Sequence, residues 1–145
     1  PKPSVETLSN AMDVGNPSNF RRLESLFGST WNNMRQMISG YAYTDTQTLE
    51  AIDRIHRDYN YLLDPHGAVG LLAAEEYQLD VHHHKPLIVL ETAHPAKFLA
   101  AYETLNIQVE IPERLANKAQ AEDLSVILPN DYTQFIEWFS ESHPV

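Results

Sequence analysis

Three segments, in each of which a predicted strand or loop runs into a predicted helix, hold the side chains that could do chemistry. These helix-start segments are residues 13–19, 64–70 and 91–97. In open α/β sheets, ligands bind beyond the carboxyl ends of strands, where the amino termini of helices also concentrate positive potential. We therefore expect a ligand of this chain to lie against one or more of these three segments.

Thr92 is the candidate for ligand contact in the third segment. It follows the continuous apolar run of residues 87–90, which predicts a strand covered on both faces. Its hydroxyl would then lie at the carboxyl end of that strand. A threonine in this place can also cap the helix that begins at Pro95, and capping is the more common role. The spacing alone leaves both roles open.

Histidines supply the obvious metal-site candidate, which is the consecutive trio His82, His83 and His84. Adjacent residues point in different directions, so three in a row rarely converge on one ion, and no fourth ligand is evident. His66 and His94 lie at helix starts in apolar surroundings, which is typical of hydrogen-bonded structural histidines. The chain also has no cysteine to supply a thiolate. We predict no metal site, and neither a glycine-rich phosphate loop nor a nucleophile elbow occurs.

The first half of the chain has several helix signals. An Asn-Pro pair at residues 16–17 predicts a helix start whose apolar stripe ends at Gly28, and a second short stripe ends at Gly40. Both stripes are expected to be core. Thr44 and Gln47 fit a capping box that opens an amphipathic helix. The three apolar faces consist of Phe20, Leu23, Leu26 and Phe27, of Trp31, Met34 and Ile38, and of Leu49, Ile52, Ile55 and Tyr59.

A helix of a different kind is predicted to begin at Asp64 and Pro65. Residues 66–74 are apolar all round and rich in small side chains. Such a helix is expected to be buried, with a backbone or a ligand close to its glycines.

The last third of the chain predicts three more helices and a weak strand. The helices begin at Pro95, at Pro112 and at the Asn-Asp pair of residues 130–131, while residues 107–111 alternate in the manner of a half-exposed edge strand. The first and last of these helices would pack through Phe98, Leu99, Tyr102 and Leu105, and through Tyr132, Phe135 and Phe139.

These elements predict a helix-rich α/β fold in which residues 1–145 form a single unit. One strand of parallel type cannot satisfy its own backbone groups and needs a neighbour on each side. We therefore expect residues 87–90 to be an interior strand of a larger sheet, whose other strands lie upstream or on a partner chain.

Composition and charge limit the class of protein. The 145 residues are 43% hydrophobic and 21% charged, which is typical of a globular domain. The formal net charge of −10 makes nucleic acid and anionic membrane poor partners. No apolar run approaches the roughly 20 residues that a spanning helix needs, and no signal-peptide pattern opens the chain. We expect a cytoplasmic protein. The chain starts at Pro1 rather than Met, and the sequence leaves open whether it is a processed piece.

The three helix-start segments resemble, in the same order, the carboxyl-terminal third of threonine synthases. The matching sequences are LSNAMDVGNPSNF at residues 8–20, DPHGAVG at residues 64–70 and ETAHPAKF at residues 91–98, followed by VEIP at residues 109–112. The similarity spans nearly the whole chain, and ETAHPAKF is close to a signature of that family.

The resemblance implies the fold of the tryptophan-synthase-like pyridoxal-phosphate enzymes. This chain would be the helix-rich carboxyl-terminal part of the large domain, with at least one buried strand of parallel type. The full-length protein would be a lyase of threonine biosynthesis that converts O-phospho-L-homoserine and water into L-threonine and phosphate. By the same resemblance, Thr92 matches the hydroxyl that faces the pyridine nitrogen of the cofactor. Residues 64–70 would line the cofactor side of the domain, and residues 13–19 would shape the same cleft.

The chain also departs from the family in what it lacks. The lysine that holds the cofactor as a Schiff base, and the loop that cradles its phosphate, belong to the family's amino-terminal portion and do not occur here. Lys2, Lys85, Lys97 and Lys118 lie outside the lysine motif. The resemblance therefore predicts that this piece alone has no catalytic residue, is inactive, and has the missing amino-terminal portion as its partner.

Two alternatives stay open beside this interpretation. One is another enzyme of the same fold, such as a serine or threonine dehydratase, although ETAHPAKF at residues 91–98 argues against it. The other is a non-catalytic module derived from such an enzyme.

Overall fold

The computed structural model describes residues 2–81, 85–119 and 121–143, and within them the regular structure is helical. It divides into two compact units, Pro1–Glu110 and Ile111–Val145; the single unit expected for residues 1–145 stays a prediction. The helices are α1 (Phe20–Phe27), α2 (Trp31–Met37), α3 (Asp45–Tyr59), α4 (Pro65–Asp80) and α5 (Leu99–Thr104) in the first unit, with 3-10 turns at Asn10–Met12 and Pro95–Lys97, and α6 (Glu113–Ala119) and α7 (Tyr132–Ser142) in the second.

Helix α3 begins at the predicted capping box. The Thr44 hydroxyl accepts a hydrogen bond from the backbone N–H of Gln47 at 3.3 Å, and the Gln47 side-chain oxygen accepts the N–H of Thr44 at 2.9 Å. The helix ends at Asn60, which has φ 52° and so lies in the left-handed region typical of a helix end. Of the predicted apolar face, Ile52 is fully buried, whereas Tyr59 is exposed.

Helix α4 begins at the predicted place, with Asp64 as its N-cap and Pro65 as its first residue. Only its first turn is buried; residues 69–75 are half-buried, so the expected burial all round is wrong for most of the helix.

Helices α3 and α4 pack together and are joined by an ion pair, in which Arg54 Nη2 lies 2.9 and 2.8 Å from the two carboxylate oxygens of Glu75. The core of the first unit consists of Ala51, Ile52, Leu63, Ala68, Phe98 and Tyr102.

The apolar stripes of α1 and α2 are not core in the described structure. Helix α1 begins at Phe20 rather than at residues 16–17, and Gly28, with φ 63°, ends it as predicted. Helix α2 ends at Met37, with Ile38 as its C-cap, and not at Gly40, and Met34 is its one buried residue. Helices α1 and α2 contact each other, but Leu26 and Trp31 remain more than 70% exposed.

Residues 86–92 run without regular secondary structure, and the described residues contain no strand. Ile88 is 88% exposed and Leu90 75% exposed, while Leu87 and Val89 are half-buried. One face of this segment is therefore covered, and Val89 lies on Gly70 of α4. The interior strand expected at residues 87–90 stays a prediction. The weaker strand expected at residues 107–111 is not formed here either, although Ile107 and Val109 pack against the core.

The second unit has little buried surface. Helix α7 begins as predicted, because the Asp131 carboxylate accepts the N–H of Gln134 at 2.9 Å. The rings of Phe135 and Phe139 stack with centroids 6.0 Å apart, yet both residues are more than 40% exposed. No helix in the described parts of the chain is both long enough and apolar enough to cross a membrane.

Candidate functional site

The second and third helix-start segments meet at Asp64, which is completely buried. Its Oδ1 atom accepts the backbone N–H of His66 at 2.8 Å and lies 2.8 Å from the Nδ1 atom of the same histidine. Its Oδ2 atom accepts the backbone N–H of Ala93 at 3.2 Å. The Asp64 carboxylate thus caps α4 and also binds the backbone of Ala93, which follows the apolar run of residues 87–90.

Glu91 reaches back to the same place from the third segment. Its Oε1 atom accepts the backbone N–H of Asp64 at 2.6 Å. The carboxyl group lies so close over Gly67 that a Cβ atom there would collide with it. A glycine is therefore required at this position while Glu91 keeps its place, because any larger residue would displace the carboxyl group.

The pKa values of the two carboxyl groups are shifted in opposite directions. Burial, followed by the hydrogen bond with Asp64, raises the pKa of Glu91 to about 7. Burial also acts to raise the pKa of Asp64, but hydrogen bonds from Glu91, His66 and Ala93 together hold it below the ordinary value. The pair therefore keeps one proton on Glu91 below neutral pH, with Asp64 ionised.

His66 and Tyr102 complete the surroundings of the pair. The ring of His66 packs edge-on against Phe98, with centroids 5.2 Å apart, and its buried Nε2 atom has no hydrogen-bond partner among the described residues. The Tyr102 hydroxyl donates to the carbonyl of Leu63 at 2.8 Å. Burial, with the negative charges of Asp64 and Glu91, raises the pKa of Tyr102, so this hydroxyl stays a donor at any ordinary pH.

Thr92 lies between the two residues that Asp64 holds. The threonine is exposed, and its hydroxyl makes no hydrogen bond to any residue that the structure describes. The cap of the turn at Pro95 is instead His94, whose Nδ1 atom accepts the N–H of Ala96 at 3.1 Å. The capping role considered for Thr92 thus falls to His94, and the ligand role of Thr92 stays a prediction.

The first helix-start segment is organised separately. The Asp13 carboxylate accepts the backbone N–H and the hydroxyl of Thr7, each at 2.7 Å, and Gly15 accepts the N–H of Lys2 through its carbonyl at 3.1 Å. In the described structure no hydrogen bond joins this segment to the other two. Its expected share in the same cleft stays a prediction.

The described residues include no group of three or more metal-ligating side chains. The trio His82, His83 and His84 lies outside the described residues. The pairing of Asp64 with Glu91 was missed by sequence reasoning. Its one signal in the sequence was Gly67 in the first turn of α4, since a glycine there predicts that another group approaches closely without identifying that group.

A family model described as "Threonine synthase, C-terminal" matches residues 67–137. Among curated relatives, threonine synthase of Escherichia coli is 37% identical over 91% of this chain and 30% of its own length. Threonine synthase of Haemophilus influenzae is 36% identical over 98% of this chain and 32% of its own length. The chain thus spans about a third of the relatives it matches.

Solved structures give the same result for the fold. The crystal structure of Escherichia coli threonine synthase superposes with a TM-score of 0.76 at 32% identity, covering 99% of this chain and 32% of that one. The pyridoxal-phosphate-bound threonine synthase of Brucella melitensis gives a TM-score of 0.73 at 25% identity, over 99% of this chain and 36% of that one. The described helices therefore have the arrangement found in part of these larger enzymes.

Proposed function

We propose that this chain is the carboxyl-terminal part of a member of the threonine synthase family, and that the full-length protein makes L-threonine and phosphate from O-phospho-L-homoserine and water. The proposal includes pyridoxal phosphate as the cofactor and a location in the cytoplasm. The observation that supports it most directly is the junction at Asp64, which joins two of the three family segments and leaves the Thr92 hydroxyl exposed and unpaired beside them.

Thr92 is the residue that would face the pyridine nitrogen. Its hydroxyl is available, because His94 provides the cap of the following turn and no described residue bonds to Thr92. Bound pyridoxal phosphate supplies an electron sink for carbanions formed on the substrate. A neutral hydroxyl partner, unlike a carboxylate, leaves the ring nitrogen largely unprotonated, so Thr92 would moderate that electron sink.

The amino-terminal portion of the full-length protein would supply the rest of the site. The family's lysine and phosphate-binding loop belong to that portion, and none of the four lysines here, Lys2, Lys85, Lys97 and Lys118, lies in the lysine motif. This chain by itself would therefore neither bind the cofactor covalently nor make threonine.

The same portion would complete the sheet. Residues 87–90 make no backbone hydrogen bond in the described structure, and Ile88 and Leu90 present their side chains on the uncovered face. Both properties suit an interior strand that has lost its neighbours. We propose that residues 87–90 are such a strand in the full-length protein, where residues 1–145 form one α/β unit with the missing strands.

The test compares the full-length protein with the 145-residue chain. The full-length protein, loaded with pyridoxal phosphate, is expected to release phosphate and threonine in equal amounts from O-phospho-L-homoserine, and the 145-residue chain is expected to release neither. Formation of a 2-oxo acid from serine or threonine, with no turnover of the phosphorylated substrate, would instead identify a dehydratase. Turnover by the short chain, or a cofactor absorbance band in it that disappears when one of its lysines is replaced, would overturn the assignment of the missing parts.

A further inference from the structure

We propose that Asp64 and Glu91 are positioning residues, which anchor the backbone on both sides of Thr92 and thereby hold it in the orientation that presents its hydroxyl to the cofactor ring. The inference deepens the proposed function and rests on it. Neither carboxyl group touches the ring in this account; both act through the backbone on either side of Thr92.

The geometry places Thr92 between two anchored neighbours. Glu91, which precedes it, is bound through its carboxyl group to the Asp64 N–H at 2.6 Å. Ala93, which follows it, donates its N–H to Asp64 Oδ2 at 3.2 Å. Asp64 is itself immobilised, since it is completely buried and also caps α4. Because nothing described holds the Thr92 hydroxyl directly, its direction depends on these backbone anchors.

The two carboxyl groups come together because the Glu91 side chain is bonded to the backbone N–H of Asp64 itself. Asp64 accepts N–H groups from His66 and Ala93, which favour its charged form and help to hold its pKa low, whereas the pKa of Glu91 is raised, so that Glu91 is the carboxyl group that carries a proton near neutral pH. The other ionisable groups that act on the pair are His66 in the first turn of α4 and Tyr102 on α5. Of these, the Tyr102 hydroxyl is neutral and the His66 ring is bonded to Asp64.

Loss of the proton from Glu91 would weaken the anchor before Thr92, because it would place a second negative charge beside the Asp64 carboxylate. Glu91 can relieve this repulsion by swinging away from Gly67, because its side chain is only partly buried. The pKa of Glu91, raised by burial to about 7, sets this change near neutral pH. Thr92 would then be well oriented below that pH and less so above it.

The first test needs no cofactor. Hydrogen exchange of the peptide that contains residues 91–94 is measured in the full-length protein without pyridoxal phosphate, for the wild type and for Glu91→Gln, from about pH 6 to about pH 8.5. The substituted glutamine side chain keeps a donor for the Asp64 carboxylate and an acceptor for the Asp64 N–H, but it cannot ionise. We expect the ratio of the two exchange rates to be near one at low pH and to rise, with the wild type faster, by about fivefold or more above pH 7.5. Taking the ratio cancels the intrinsic pH dependence of exchange.

The second test measures how pH changes the surroundings of the cofactor ring. The absorbance of the bound cofactor is titrated in the wild type, in Glu91→Gln and in Glu103→Gln, which removes the same charge from an exposed position on α5. We expect a transition near pH 7 in the wild type and in Glu103→Gln, and none in Glu91→Gln. The ratio of kcat in the wild type to kcat in Glu91→Gln should fall over the same pH range, with KM for the substrate nearly unaffected.

The outcomes separate the two proposals. A flat exchange ratio from low to high pH would overturn the anchoring role whatever the enzyme does. A Glu91→Gln protein with the same absorbance titration as the wild type would also overturn it, while leaving the cofactor assignment standing. A protein that binds no pyridoxal phosphate would refute the proposed function, and with it the link from the anchor to a ring.

Discussion

The junction around Asp64 includes Glu91, which directly follows the apolar run at residues 87–90. The two regions nevertheless differ in burial and in hydrogen bonding. At the junction the polar atoms of Asp64 are paired and the residue is completely buried. A few residues before Glu91, Ile88 is 88% exposed and the backbone is unpaired within the described structure. The junction is thus formed completely within this chain, whereas the face of residues 87–90 that carries Ile88 and Leu90 has no covering residue in the described structure.

The largest difference in stability is expected between replacing a buried isoleucine of the core and replacing an exposed isoleucine of residues 87–90. Ile52→Ala removes a fully buried side chain from the core and should lower the free energy of unfolding by about 3 kcal/mol, through lost burial and a cavity. Ile88→Ala should change the stability of the 145-residue chain by less than about 0.5 kcal/mol.

Denaturant titration of the chain and of the full-length protein checks this contrast. In the full-length protein, Ile88→Ala should become costly, by about 2 kcal/mol or more, because the strand is then covered. An equally small effect there would show that residues 87–90 are not an interior strand.

Two helix caps of the same residue type offer the next comparison. Asp64→Ala should lower the free energy of unfolding by about 3 kcal/mol, because it removes the cap of α4 and also leaves the half-buried N–H of Ala93 without a partner. Asp131→Ala at the exposed start of α7 should cost about 1 kcal/mol or less, since only a cap is lost. Thermal unfolding of both variants measures the difference. Equal costs would mean that Asp64 is an ordinary cap and that the junction adds nothing.

A change of pH is expected to have a smaller effect on the free energy of unfolding. The pKa of Glu91 is raised by burial from 4.5 to about 7, so between these values the folded state binds the proton that the unfolded state has lost. The stabilisation is fully present below about pH 4.5 and is lost as the pH rises through 7. Because the Glu91 side chain is only partly buried, solvent screening limits the loss to about 1 kcal/mol.

Unfolding free energies at about pH 5 and pH 8, for the wild type and for Glu91→Gln, isolate this contribution. The variant should lack the decline that comes from Glu91, and Glu103→Gln serves as the control for the removal of a charge. A decline of the same size in all three proteins would place its origin elsewhere.

What could be predicted from the sequence was mostly local. The capping box of Thr44 and Gln47, the cap at Asp64 and the stop at Gly28 depend on residues within one helical turn, and all three are present in the structure. The sequence leaves Thr92 as one possible cap of the segment that begins at Pro95, but His94 has that role, since a histidine directly before the proline can reach the N–H of Ala96.

Properties that depend on distant residues could not be predicted in the same way. The bond between Glu91 and the Asp64 N–H spans 27 residues, and no periodicity reports such a contact. The apolar stripes of α1 and α2 correctly predicted helices, but they did not predict burial. An apolar face indicates that a helix packs against something, and it does not identify the surface against which it packs. The alternation of residues 107–111 predicted a strand, whereas in the structure Ile107 and Val109 pack on the core from an irregular segment.

Two variants of the full-length protein test the proposed contact between Thr92 and the cofactor ring. Thr92→Ser keeps the hydroxyl and should retain most of the turnover. Thr92→Val keeps the shape but removes the hydroxyl, and should lower kcat by about tenfold to a hundredfold if the lost hydrogen bond is felt in the transition state. Because that hydroxyl has no partner in the described structure, the melting temperature should stay unchanged in both variants. A Thr92→Val protein with normal turnover would show that Thr92 is not the partner of the pyridine nitrogen.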